Sequence, residues 1–200
     1  MKKLTFGIAA CILLASCSSN PKKILVFAKG GSTINQESKT ITLKDGSGQE
    51  EKTLDYNTAD KVTISVKDNS GATSIEIPEN GYYILNAKSD TLIGSYQKYT
   101  DPKLTQNVKT QESLKMDIDS LQQLVEGKNV SAANRNFFVL PKTAVKITDN
   151  VNAIVVGPFH QMTSVEKEGD KVPEVYRFWS VKEIRQTIDK LTLLTVAEKK

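Results

Sequence analysis

The chain changes its hydrophobic rhythm several times. Leu4 to Leu14 is a short apolar run that follows Lys2 and Lys3 and ends in the small pair Ala15-Ser16. At about eleven residues it falls well short of the roughly twenty that a membrane-spanning helix needs. A charged start, a short apolar middle and a small-residue exit have the layout of an export signal over residues 1–16. Ser18 to Lys23 is polar and reads as a tether over 17–23, with Lys22 and Lys23 placed to meet anionic head groups.

Beyond the tether the pattern is that of strands. Ile24-Leu25-Val26-Phe27 is continuously apolar, which predicts a strand covered on both faces. Thr40 to Leu43 alternates until Asp45-Gly46-Ser47-Gly48 breaks it. Val62, Ile64 and Val66 alternate with polar residues, and Asp68-Asn69-Ser70-Gly71 turns the chain into a second alternating run through Ile75 and Ile77. After Pro78-Glu79-Asn80-Gly81 come two more strands, Tyr82 to Asn86 and Thr91 to Tyr96. The stretch Ile77 to Asn86 resembles the proline–glycine–tyrosine hairpins of prealbumin-like periplasmic domains.

Helical spacing appears twice. Leu114, Ile118, Leu121 and Val125 lie on one face of a helix that Gly127 stops. Ser180 and Glu183 form a capping box for a last helix whose apolar face is Val181, Ile184, Ile188 and Leu191. Lys199 and Lys200 suit its negative end. Between the helices, Asn136 to Leu140, Ala144 to Ile147, Ala153 to Val156 and Val175 to Trp179 are compact strand-like runs. The expectation is an α+β chain, antiparallel and β-rich, built as a sandwich or open barrel. It places a β-domain over 24–98, a linker over 99–110, a connecting helix over 111–127, and a β-segment over 128–200 closed by an amphipathic helix, 180–197.

The residues ahead of the tether read Leu14-Ala15-Ser16-Cys17. This resembles the bacterial lipobox, and the resemblance covers the first 17 residues. It implies cleavage before Cys17 and acyl chains on that cysteine, so that membrane lipid is a partner. Two or three chains anchor stably where one does not, at about 0.8 kcal/mol per buried methylene. Ser18-Ser19 lacks the aspartate that retains many such proteins at the inner membrane, which implies the outer membrane, facing the periplasm.

Composition narrows the chemistry. The net charge is +4, and removal of Lys2 and Lys3 leaves +2, which gives no electrostatic case for nucleic acid. Of two cysteines, Cys11 leaves with the signal and Cys17 carries lipid, so the remaining chain has no thiol chemistry and no disulfide. The single histidine, His160, rules out histidine-cluster zinc sites. S-x-x-K occurs at Ser19, Ser95 and Ser164, but a chain this rich in serine and lysine produces such matches by chance. No cofactor is expected. The densest aromatic group is Tyr176-Arg177-Phe178-Trp179, in which Tyr176 and Phe178 face one side of a strand and Arg177 and Trp179 the other. Tyr176, Trp179 and His160 are the candidate ligand-binding residues. The expected role is non-enzymatic binding or assembly with an envelope protein; the second choice is a glycan or small ligand on the aromatic strand, and the third a hydrolase with a site assembled from distant acids and His160.

Replacing Cys17 is the direct test of the anchor. In Cys17→Ala, metabolic labelling with a fatty acid is expected to vanish while the folded body keeps its thermal transition. Persistent label would contradict the assignment.

Overall fold

The computed structural model describes residues 20–97, 110–160 and 173–197. Cys17 and the lipobox residues Leu14, Ala15 and Ser16 lie outside them, as do most of the 99–110 linker and Lys199 and Lys200. Among the described residues no helix is long and apolar enough to cross a membrane.

The continuous apolar run lies within β1 (Pro21–Lys29). Its side chains alternate between two cores: Ile24, Val26 and Ala28 point into one, Leu25 and Phe27 into the other. β1 lies inside a central sheet of order β10-β7-β1-β4, with β4 at Gln49–Asn57, β7 at Gly81–Asn86 and β10 at Thr143–Thr148. β7 is buried along its whole length and divides its side chains in the same way, Tyr83 and Leu85 against Tyr82 and Ile84.

One face of the central sheet is covered by β2 (Thr33–Asn35), β3 (Thr40–Thr42), β5 (Val62–Asp68) and β6 (Gly71–Ile77), in sheet order β2-β3-β5-β6. The other is covered by β8 (Leu92–Gln97), β9 (Asn136–Val139), β11 (Ile154–Val156) and β12 (Val175–Ser180), in order β11-β12-β8-β9. Outside this last sheet lie α1 (Gln111–Val125) and α2 (Val181–Ala197), packed through Ile93, Leu124, Ile184, Phe138 and Trp179. The result is four layers: sheet, sheet, sheet, helices.

The α+β, β-rich reading holds, as three sheets rather than a closed barrel. The sheets are mixed, because β1 with β7, β3 with β5 and β11 with β12 are parallel. Sheet membership crosses the boundary expected at residue 98: β8 belongs with β9, β11 and β12, and β10 joins β7 and β1. The Pro78 turn does not close a hairpin, since β6 and β7 belong to different sheets. β1 begins at Pro21, inside the 17–23 stretch expected as a tether. β2 and β4 carry too few apolar residues to be predicted; in β4 only Leu54 is buried, and its place is set by a nine-residue antiparallel register with β1.

Helix ends follow local chemistry. Thr110 caps α1 by accepting from the Ser113 N–H at 3.2 Å, and Gly127 beyond its end takes φ +73°. Ser180 Oγ accepts from the Glu183 N–H at 3.1 Å, as a capping box requires. The Glu183 carboxylate instead accepts from the Phe159 N–H at 3.2 Å, tying the loop after β11 to the start of α2.

Packing between the central sheet and its α-covered neighbour leaves no room at Gly94. A Cβ there would lie 2.2 Å from Cε1 of the fully buried Phe178, whose ring stands 6.4 Å from that of Phe27. Gly94→Ala is expected to cost about 1–3 kcal/mol through this overpacking. A denaturation midpoint unchanged from wild type would show that β8 and β12 are not in this register.

Candidate functional site

The strand directions give the molecule two ends. At the entry end, where the chain comes in from Cys17, the first residues of β1 and β7 sit beside the last residues of β4 and β10. Asn20 joins this end through the Asn57 and Asn80 side chains. Lys22 does not reach toward head groups: it is 1% exposed, and its ammonium donates to the Thr58 carbonyl at 2.6 Å and to Asn80 Oδ1 at 3.2 Å. It shares the parity of Ile24 and Val26, so the strand turns it inward, and a buried charge persists only when such partners are built around it.

The far end carries a cleft of about 530 Å³. Lys29 comes from the end of β1, Lys44 from beyond β3, Lys88 from beyond β7, and Lys142 from the turn into β10. Asp45, Asp68, Leu43, Ala87 and Pro141 complete much of the wall. Lys29 pairs with Asp45 at 3.3 Å and Lys142 with Asp68 at 2.5 Å. Lys88 lies 3.6 Å from Asp90 and donates to Gln49 Oε1 at 3.4 Å. The Lys44 ammonium is exposed and has no acceptor among the described residues. Hydrogen bonds from the Lys142 ammonium and from Ser70 hold the Asp68 carboxyl well below the usual carboxylate range.

Asn86, fully buried, positions much of this lining. Its Nδ2 donates to the Asp90 carbonyl at 2.7 Å and the Val139 carbonyl at 2.9 Å. Its Oδ1 accepts from the Lys88 N–H, and its carbonyl from the Lys142 N–H. One side chain thus sets the loops that carry two of the lysines. Gly30 lets the 46–48 loop close on the cleft, since a Cβ there would lie 2.1 Å from the Ser47 carbonyl oxygen.

The residues singled out from the sequence are not brought together. Tyr176 is 1% exposed in the core between the sheets, its ring edge-on to Tyr96 and Phe137, so it lines no accessible surface. Trp179 is half-buried on the opposite face of β12, in a groove of about 370 Å³ between the sheet and the two helices. The Arg177 guanidinium stands 5.2 Å from its ring, and Arg177 Nε is buried with no acceptor among the described residues. His160 is 62% exposed at the far end, its Nδ1 3.4 Å from Glu51 Oε1. Among the described residues no group of three His, Cys, Asp or Glu side chains could hold a metal.

The buried Tyr176 serves a polar strap instead. Its hydroxyl lies against Arg135 and Glu174, and the Arg135 guanidinium stacks 3.7 Å over Tyr96. Glu174 also accepts from Thr148 and Asn150 and pairs with Arg135. Burial alone would raise its pKa; the bonds from Tyr176, Asn150 and Thr148 with the charge of Arg135 outweigh this and lower it.

Comparison with protein-family models, with curated proteins and with solved structures gives no match.

Because the folded protein lowers the Glu174 pKa, the stabilisation is present above the ordinary glutamate value of about 4.3 and is lost as pH falls through the lower folded value. Glu174→Gln is expected to lose about 1–3 kcal/mol at neutral pH, since charged acceptors hold the stronger bonds. The deficit should shrink below about pH 4, as read by urea denaturation at several pH values. A deficit that does not change with pH would remove Glu174 from this role.

Proposed function

We propose that the chain is a lipid-anchored envelope protein without catalytic activity, which docks an acidic segment of a partner protein in its lysine cleft. One observation carries the reading: four lysines from four separate segments meet around the cleft, at the end opposite the entry of the chain from Cys17. Lipid attachment there leaves the cleft pointing away from the membrane. The lining opposes four ammonium groups to two aspartates, which favours negative charge. Partner exchange costs little, because part-exposed pairs such as Lys29–Asp45 contribute only about 0–1 kcal/mol. Among the described residues no aromatic side chain lines the cleft to stack on a sugar ring, whereas Leu43, Ala87 and Pro141 suit the apolar positions of a peptide.

A second reading keeps a small polar ligand or glycan for the groove at Trp179, favoured by the buried Arg177 Nε beside the indole, which has no acceptor among the described residues. Tyr176 has no part in it, and His160 lies at the far end.

The test is crosslinking and pull-down of the lipidated protein from envelopes, comparing wild type with Lys44→Glu. The Lys44 ammonium is exposed and has no acceptor among the described residues, so the variant should keep its stability within about 0.5 kcal/mol. Partner capture is expected to fall several-fold and to weaken with added salt. Capture indifferent to both, or the absence of any partner, contradicts the reading. Quenching of Trp179 fluorescence by an oligosaccharide would favour the groove instead.

A further inference from the structure

The helix layer overhangs the entry end. α2 starts at the far end, since Ser180 pairs with Leu92 just past Asp90. It then runs back along the sheet: Leu191 shares a groove with Gln97, and the Thr195 carbonyl accepts from Gln111 Nε2 at the start of α1. The entry end of this sheet adjoins that of the central sheet, because Glu174, just ahead of β12, is bonded to Thr148 at the end of β10. Seventeen helical residues span about 25 Å, whereas the six residues of β12 span about 20 Å. The C-terminal turns of α2 therefore end about 5 Å, roughly one turn, beyond the strands.

Those turns carry Leu193 and Leu194, 70% and 54% exposed. Met116, in the first turns of α1, is 66% exposed, and Ile154, opening β11 at the same end, is 38% exposed. Only Leu140 and Phe159, among the large apolar side chains exposed in the described residues, lie at the far end. Four of the six such residues thus lie at the entry end.

The length of chain between anchor and fold identifies an occupant for them. Four residue steps separate Cys17 from Pro21, and extended chain covers at most about 3.6 Å per residue, so about 14 Å holds the entry end to the membrane. The helices lie two layers from β1, about 20 Å to the side at about 10 Å per layer, and face the same plane. We propose that the overhang of α2, with Met116 and Ile154, seats in the interfacial region of the bilayer that carries the lipid on Cys17. This rests on the anchor reading above and adds orientation to it. A few apolar side chains bind a bilayer weakly on their own, but the tether supplies the effective concentration that keeps them seated. The body then stands with its strands steep to the membrane and its cleft outward.

The test uses the mature chain, coupled through Cys17 to a maleimide phosphatidylethanolamine in vesicles of phosphatidylethanolamine and phosphatidylglycerol. A diazirine-bearing phospholipid in the same vesicles labels what touches the acyl region, and mass spectrometry locates the label. Label is expected on Leu193, Leu194 and Met116 and not on Leu140 or Phe159, and Leu193→Gln with Leu194→Gln should reduce the Met116 label several-fold. Label spread evenly over both ends, or concentrated at the far end, overturns the seating. So does a dimer of the untethered chain, in sedimentation, that the same double variant dissolves, because a second copy would then be the occupant. The chemical tether makes the result independent of acylation in cells. Failure to label Cys17 with fatty acid in vivo refutes the anchor, and failure of the photolabel with Cys17 acylated refutes only the seating.

Discussion

A single strand has to satisfy two cores at once, and the other layers are arranged around that requirement. The β1 segment Ile24 to Ala28 is apolar at every position, so neither face can be left to water. Each fully buried Val, Leu, Ile or Phe side chain contributes about 1.5–3 kcal/mol, and β1 alone supplies four. β7 repeats the demand beside it. A two-layer sandwich would leave one face of both strands bare, so a sheet is needed on each side. The second of these has its own outward apolar residues, Ile93, Phe138 and Trp179, which call for the helices.

Among the described residues the buried polar ones are Lys22, Asn86 and Ser180, and each is hydrogen-bonded at one end of the stack. Lys22 closes the entry end through a carbonyl and an amide, while Asn86 ties three segments at the far end. Leaving such groups unsatisfied costs about 1–3 kcal/mol apiece, more for a charge, which is comparable to a whole buried aliphatic side chain. They fix which loops meet where, and so the cleft owes its shape to a residue that barely contributes to its surface. Functional geometry and fold specification meet in Asn86.

How much of this could be read from the sequence depended on where each strand sits. β5 and β6 were legible because Val62, Ile64, Val66, Ile75 and Ile77 keep a period of two over a single core. β1 was legible because both its faces are dry. β4 was not: an edge strand needs few apolar residues, and Gln49 to Lys52 look like a solvated loop. The assignment of strands to sheets was hidden as well, since β8 and β12 alternate just as a two-layer sandwich would require. Aromatic density at Tyr176 to Trp179 marked a packing centre, and composition alone does not separate a core from a platform. The cleft lysines, at 29, 44, 88 and 142, form no motif and only converge in three dimensions. Lys22, read with Lys23 as facing head groups, was misplaced although it shares the parity of the inward-facing Ile24.

The position of β1 also bears on how the chain reaches this state. It is the first strand made, yet its parallel partner β7 begins only at Gly81, β10 ends at Thr148, and Phe178, which covers Phe27, comes later still. Pairings so distant in sequence close slowly, because loop entropy is lost before contacts repay it. Until then an uncharged stretch rich in β-formers, Ile24 to Ala28, stays open to other chains. The feature that organises the finished molecule is therefore also the stretch left uncovered longest as the chain is made, until residues near Ser180 have appeared.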